Sequence, residues 1–200
     1  MTKFYTNVLR VGNNILYRGY DNGEQIKKRV PFRPKLYKTG GGPSEWKTLE
    51  GVPVMEKEYD SMSEATEEYK QYSNISNVKI YGQNNYTAQF ISTFWPDEIK
   101  FDRNMVRVLN VDIEVASDDG FPEPREARHP VISIAIRKND GNYWVWGLND
   151  YTPSREDVLF IKCKNEIELI QKFVAHFQDY APDIITGWNP RILDIPYIAH

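Results

Sequence analysis

The sequence predicts an α/β protein in two parts: an α+β N-terminal domain over residues 1–105, then a second domain over residues 106–200. Three observations predict it. Short strand-like runs separated by turn dipeptides fill the first part. The texture changes near Asp102–Asn104, where an apolar, β-branched run, VRVLNVDIEV (106–115), begins. From that run on, the elements come in the order β, β, β, β, α, β, α.

The elements follow in chain order. Residues 4–11 and 14–20 read as strands joined around Gly12-Asn13-Asn14, and Asp21-Asn22-Gly23 is a strong turn signal leading to a third strand, 25–32. Gly40-Gly41-Gly42-Pro43 is a loop, and residues 52–58 form a short strand. Ser61 and Glu64 have capping-box spacing, so 61–72 reads as a helix. Residues 86–95 (YTAQFISTFW) read as a strand ended by Pro96-Asp97. Beyond the boundary, 106–115 is a mostly buried strand and 117–130 (SDDGFPEPREARHP) a polar, Pro-containing loop. Strands at 131–136 and 143–148 flank a hairpin signal at Lys138–Gly141, and 157–163 is another strand. Asn165 caps a helix with Glu168 as its box partner. Ile167, Ile170, Val174 and Phe177 share one face of that helix, with Leu169 and Phe173 alongside. Pro182-Asp183 stops it, Ile184–Thr186 is a short buried strand, and a last helix begins after Pro190 and carries Asp194. This order matches an RNase-H-like core better than a dinucleotide-binding fold, since no Gly-rich turn follows the first strand.

Composition narrows the function. The chain has 200 residues, 25 Lys+Arg against 28 Asp+Glu, and one cysteine, Cys163. One cysteine excludes a disulfide framework and a Cys-based zinc site, and fits a reducing compartment. No apolar run approaches the ~18–20 residues of a membrane span, and the start, MTKFYTNVLRVG, lacks the apolar stretch of a signal peptide. Charge is uneven. Residues 1–47 hold 10 basic and 3 acidic residues, whereas 48–105 and 106–200 are both net acidic. A basic N-terminal segment could meet a phosphate backbone, or could simply be solvated strands.

The sharpest chemical feature is Asp112-Ile113-Glu114 inside an apolar strand. Residues i and i+2 of a strand point to one face, so the two carboxylates project together. Paired carboxylates repel, and a hard divalent cation such as Mg²⁺ or Mn²⁺ relieves them. An edge strand with both acids in water is the plainer alternative. The second feature is TGWNPRILDIPY (186–197), in which Asn189 follows a short strand and Asp194 lies early on the next helix. If that helix packs beside the Asp112 strand, Asp194 is a third acid of the same site and Asn189 a hydrogen-bond donor to a nucleotide. Otherwise Asp194 is a helix-start charge and Asn189 a turn residue. Phe121, between Gly120 and Pro122, could stack against a base or pack its loop. His129, His176 and His200 lack metal-ligand spacing. Lys162 and Lys164 flank Cys163 and could lower its pKa, though with no His partner a structural thiol is the better reading. Trp144 and Trp146 read as packing residues.

Together, NVDIEVASDDGFPEP, ITGWNPRILDIPYI and the start MTKFYTNVLRVGNNILYRGYDNG resemble the N-terminal portion of the replicative family B DNA polymerases of T-even-like bacteriophages. The resemblance spans the whole chain. It implies an N-terminal domain followed by part of a 3′→5′ proofreading exonuclease of RNase-H-like fold, in DNA replication. It implies Asp112, Glu114 and Asp194 as catalytic metal ligands for two Mg²⁺ or Mn²⁺ ions, with Phe121 and Asn189 binding substrate. It implies DNA as partner, as a single-stranded 3′ end and a primer–template, in the cytoplasm of an infected bacterial host and not at a membrane. Leu193 stands where the family usually has Phe or Tyr, which should alter packing rather than metal binding. A third motif, Tyr-x-x-x-Asp, is expected beyond residue 200, so the isolated chain should be weak or inactive without the remaining polymerase sequence or a companion chain. The alternative is a non-catalytic nucleic-acid-binding module, for RNA among others, working through the basic segment.

Overall fold

The computed structural model describes residues 3–40, 42–73, 75, 77–117 and 120–200. The chain divides into two compact units, Met1–Asp102 and Arg103–His200. Among the described residues no helix is long and apolar enough to cross a membrane.

The first unit opens with an antiparallel meander, β1 (Lys3–Val11), β2 (Asn14–Asp21) and β3 (Glu24–Pro31). The β2–β3 turn needs two positive φ angles and has Asn22 at 52° and Gly23 at 92°, the residues that tolerate them. Ile15 and Tyr17 on one face of β2 enter a core with Leu36, Tyr59, Met62 and Phe90. Arg18 lies opposite Lys27, and Arg29 opposite Leu16. These three cations of the basic segment are exposed, and among the described residues none has an ion-pair partner.

A second small sheet runs β5-β4-β6, from β4 (Lys35–Thr39), β5 (Val54–Glu58) and β6 (Ile80–Tyr81). Strands β4 and β6 had no sequence signal. One is five residues, the other two, and each is fixed by its neighbours rather than by its own pattern. Helix α1 (Met62–Tyr72) is capped by Ser61, whose hydroxyl accepts the Glu64 N–H at 3.1 Å. The Glu64 carboxylate reaches back to the Asp60 N–H, one residue earlier than a standard capping box.

The run 86–95 is not a strand: Tyr86–Phe94 is helix α2. Thr, Ile and Phe favour strands, but the Asn85 side chain caps the first turn by accepting the Ala88 N–H. Tyr86 and Phe90, four apart, are both buried on one face, and Phe90 stacks on Phe94 with ring centroids 4.8 Å apart. Capping and i, i+4 burial override the local β preference.

The second unit holds one five-stranded sheet, ordered β10-β9-β8-β7-β11. Its strands are β7 (Val108–Val115), β8 (Val131–Lys138), β9 (Tyr143–Gly147), β10 (Val158–Lys162) and β11 (Ile184–Thr186). Strands β7, β8 and β9 are antiparallel neighbours. Strand β10 runs parallel to β9, and β11 parallel to β7. Helix α3 (Glu166–Tyr180) starts where the Asn165 side chain accepts the Glu168 N–H at 2.9 Å. Its core face is Leu169 and Phe173, with Ile170 and Phe177 beside them. Ile167 and Val174, expected on that face, are exposed, Ile167 by 68%. They are seven residues apart and share a flank one step of 100° away from the buried row.

Strand β11 is likewise not buried: it is the sheet's edge, and Ile184 and Ile185 are exposed. After it, a π-helical turn, Pro190–Asp194, runs into the short helix α4 (Ile195–Ala199). Cys163 is buried, and burial raises its thiol pKa against the pull of Lys172. The flanking Lys162 does not lower it, being ion-paired with Asp150. The His176 ring packs against Trp144 at 4.4 Å and Trp146 at 5.3 Å. Burial, then the nearby Lys138 charge, lowers its pKa.

Candidate active site

Strand β7 alternates cleanly. Leu109, Val111 and Ile113 enter the core beneath α3, while Asp112 and Glu114 lie on the opposite, exposed face. The pairing puts small residues beside them: Asp112 is opposite Ala135 and Glu114 opposite Ser133. Space is thereby left above both carboxylates. Glu114 also borders an open hollow of about 390 Å³, whose floor includes Ser133, Val145, Gly147 and Phe160.

Asp194 reaches β7 from the other side. Strand β11 ends at Thr186, opposite Asn110, and β7 continues past it. The chain then turns at Gly187, where a Cβ would overlap the Val111 carbonyl oxygen, so only glycine permits the approach. The π-helical turn follows, a geometry often found where helices serve a site. It buries Asp194 to 3% exposure, which among the described residues makes it the one charged side chain in the core. The Ile113 backbone N–H donates a hydrogen bond to its carboxylate. Burial, then the Asp112 charge, raises the Asp194 pKa above the ordinary 3.8. The fold thus holds a desolvated carboxylate against a second negative charge, and among the described residues no basic side chain forms an ion pair with either.

This donor set fits a hard divalent cation. All donors are carboxylate oxygens, and a cation would relieve the repulsion and the desolvation together. Asp112 and Asp194 alone do not close a metal site. Among the described residues no group of three His, Cys, Asp or Glu side chains is placed to hold an ion. Asp118 and Asp119 lie outside the described residues.

The structure therefore brings Asp112 and Asp194 together and puts Glu114 on the Asp112 face. Asn189 is half-buried at the start of the π-helical turn. Its carbonyl accepts the Ile192 and Leu193 N–H groups, and its side-chain amide makes no capping bond. Phe121 is 75% exposed on the 117–130 loop. Two residues escaped the sequence reading. Trp188 is 98% exposed in the turn before Asn189. An aromatic beside glycine on a loop is the signal that singled out Phe121, and Gly187-Trp188-Asn189 carries it too. Tyr197 is buried with its hydroxyl on the 117–130 loop, which no local pattern announces.

The family model for the exonuclease domain of family B DNA polymerases matches residues 91–200. The chain belongs to the family B DNA polymerases. It is 29% identical to the DNA-directed DNA polymerase of Escherichia phage RB69, over 99% of this chain and 25% of that protein. It is 28% identical to that of Enterobacteria phage T4, over 100% of this chain and 25% of that protein. It thus spans about a quarter of the length of these relatives. Among solved structures, the family B DNA polymerase of the archaeon Pyrobaculum calidifontis superposes with a TM-score of 0.63 at 17% identity. That match covers 100% of this chain and 32% of that one, and it shows the fold to be that of a family B polymerase.

Proposed function

We propose that this family B polymerase chain supplies the N-terminal domain and the first carboxylates of a 3′→5′ proofreading exonuclease. Its domains on this reading are 1–105 and 106–200, and its substrate is the single-stranded 3′ end of DNA at a primer–template. The observation that carries it is the meeting of Asp112 and Asp194, from separate elements, with one carboxylate buried and, among the described residues, no ion-pair partner for either.

Asp112, Glu114 and Asp194 would hold the Mg²⁺ or Mn²⁺ ions. Bound there, a divalent pair supplies an activated water and stabilises the leaving oxygen of the phosphodiester. Asp112 offers exposed oxygens toward both neighbours. Asp194 is buried against β7, and the Ile113 N–H favours its ionised form. Asn189 offers an amide to the substrate, and Phe121 a ring on which a terminal base can stack. A further carboxylate, from the polymerase sequence that relatives carry or from a companion chain, completes the ligand set. The setting is the cytoplasm of a phage-infected bacterium. The family match favours this reading over a non-catalytic RNA-binding module.

The test is metal-dependent digestion of a 3′-labelled single strand of DNA, by the chain alone and joined to the polymerase sequence that follows in its relatives. Digestion that needs Mg²⁺ or Mn²⁺ and disappears in the Asp112→Ala, Glu114→Ala variant is expected. Undiminished digestion by the double variant overturns the proposal.

A further inference from the structure

Tyr197 lies three residues after Asp194, on the same buried face of the turn and helix α4. Its ring belongs to the core beneath the sheet, where a phenylalanine would pack as well. A buried hydroxyl needs partners, and this one takes two from a single residue. It accepts the His129 N–H at 3.1 Å and donates to the His129 carbonyl at 2.7 Å. That residue is 68 positions away in the chain, at the root of the loop that carries Phe121. The same root is held twice more: the Ala116 N–H donates to the Pro130 carbonyl at 3.0 Å, and the Val131 N–H to the Glu166 carboxylate at 2.7 Å. Of these three ties, only Tyr197 connects the loop to the element that carries Asp194.

We infer that Tyr197 is a positioning residue: its hydroxyl locks the root of the Phe121 loop in register with the Asp194 carboxylate. The inference rests on the exonuclease reading above and deepens it. One turn of helix then carries two anchors. The turn that carries Asp194 packs on β7, and Tyr197 grips the loop at His129, so the carboxylate and the aromatic are held as one body. Phe121 can help hold a strand end at the carboxylates only while that register is kept.

The experiment uses the 200-residue chain and its Tyr197→Phe, Phe121→Ala and double variants. Tyr197→Phe keeps the ring and removes both hydrogen bonds. Amide hydrogen exchange at His129 should quicken about ten-fold, as for loss of one good hydrogen bond, while the strands of the sheet keep their protection. Unchanged exchange at His129 overturns the inference. Binding of fluorescein-labelled oligo-dT is then measured with Ca²⁺, so that binding is separated from cleavage. Each single variant should weaken it about five-fold or more, the scale of one stacked base, and the double variant no further. Effects that multiply mean the two residues act independently, and overturn the inference. A merely structural tyrosine would lower the melting temperature without this coupling. His129→Pro removes one of the two hydrogen bonds from the loop side and leaves the carbonyl; it should weaken oligo-dT binding and add nothing to Phe121→Ala, and it decides the matter if Tyr197→Phe does not fold, effects that multiply overturning the inference. If the parent chain binds no oligo-dT even when joined to the polymerase sequence that follows in its relatives, the exonuclease reading fails by itself, and exchange at His129 still decides the Tyr197 tie.

Discussion

Replacing Asp194 by Asn should stabilise the metal-free protein at neutral pH. The carboxylate is 3% exposed, and burial and the Asp112 charge both disfavour its ionised form. Asn has the same shape, and its Oδ1 can still accept the Ile113 N–H, so the hydrogen bond survives in neutral form. What disappears is the desolvated charge and its repulsion from Asp112. Relief of such strain at a functional site is worth about 1 kcal/mol, or ~4–8 °C in Tm for a unit of ~100 residues melting alone. The sign depends on pH. With its folded pKa raised above 3.8, Asp194 binds its proton more tightly in the folded than in the unfolded chain. Its penalty is therefore nil below the unfolded value and grows as pH rises through the folded one. Parent and variant should melt together near pH 3, and the variant should melt higher from the folded pKa upward. Mn²⁺ should reverse the order: at ten times its Kd it adds ~1.4 kcal/mol to the parent and little to the variant. Thermal melts from pH 3 to 8, with and without Mn²⁺, test this. A variant less stable than the parent at pH 7, or a gap that widens toward low pH, refutes the reasoning.

Three further outcomes follow from the packing. Gly187→Ala should cost about 2 kcal/mol or more, because the new Cβ meets the Val111 carbonyl; chemical denaturation measures it, and a neutral result would mean that the β11–β7 approach is looser than described. Asn85→Ala should cost about 1 kcal/mol and lower helical ellipticity by fraying α2; no loss of helix would mean that burial of Tyr86 and Phe90 holds α2 without the cap. Cys163 should react with a thiol reagent only as the protein unfolds, since burial holds the thiol up; rapid labelling of the native chain contradicts the buried placement.

What could be read from the sequence was whatever a local period or cap dictates. The alternation of β7 is enough by itself to put Asp112 and Glu114 on one face. The Ser61 and Asn165 caps fixed two helix starts. The failures have a common physical cause. Residues 86–95 are rich in strand formers, and the Asn85 cap together with the burial of Tyr86 and Phe90 against the N-terminal core makes them helical. Ile167 and Val174 are apolar yet outward, because the rotation of α3 is set by Leu169 and Phe173 meeting the sheet. Apolar character says that a residue prefers burial, and the neighbouring elements decide which ones obtain it.

The carboxylate site divides along the same line. One strand's geometry suffices to pair Asp112 with Glu114, but Asp194 reaches them only through tertiary facts: β11 stops at Thr186, Gly187 lets the backbone close on Val111, and the π-helical turn swings the side chain to the Ile113 N–H. Each step spends conformational freedom to bury a charge that would be better solvated in water. A fold selected for stability alone would put an apolar residue at position 194. An acid there, held against a second acid, is the arrangement that the proposed cation-binding role accounts for. The same logic separates Asp194 from the surface acids: Asp150, Asp157 and Glu168 are ion-paired with Lys162, Arg155 and Lys172. Among the described residues, Asp112 and Asp194 have no such ion-pair partner and lie against each other, which is what the proposed metal role rests on.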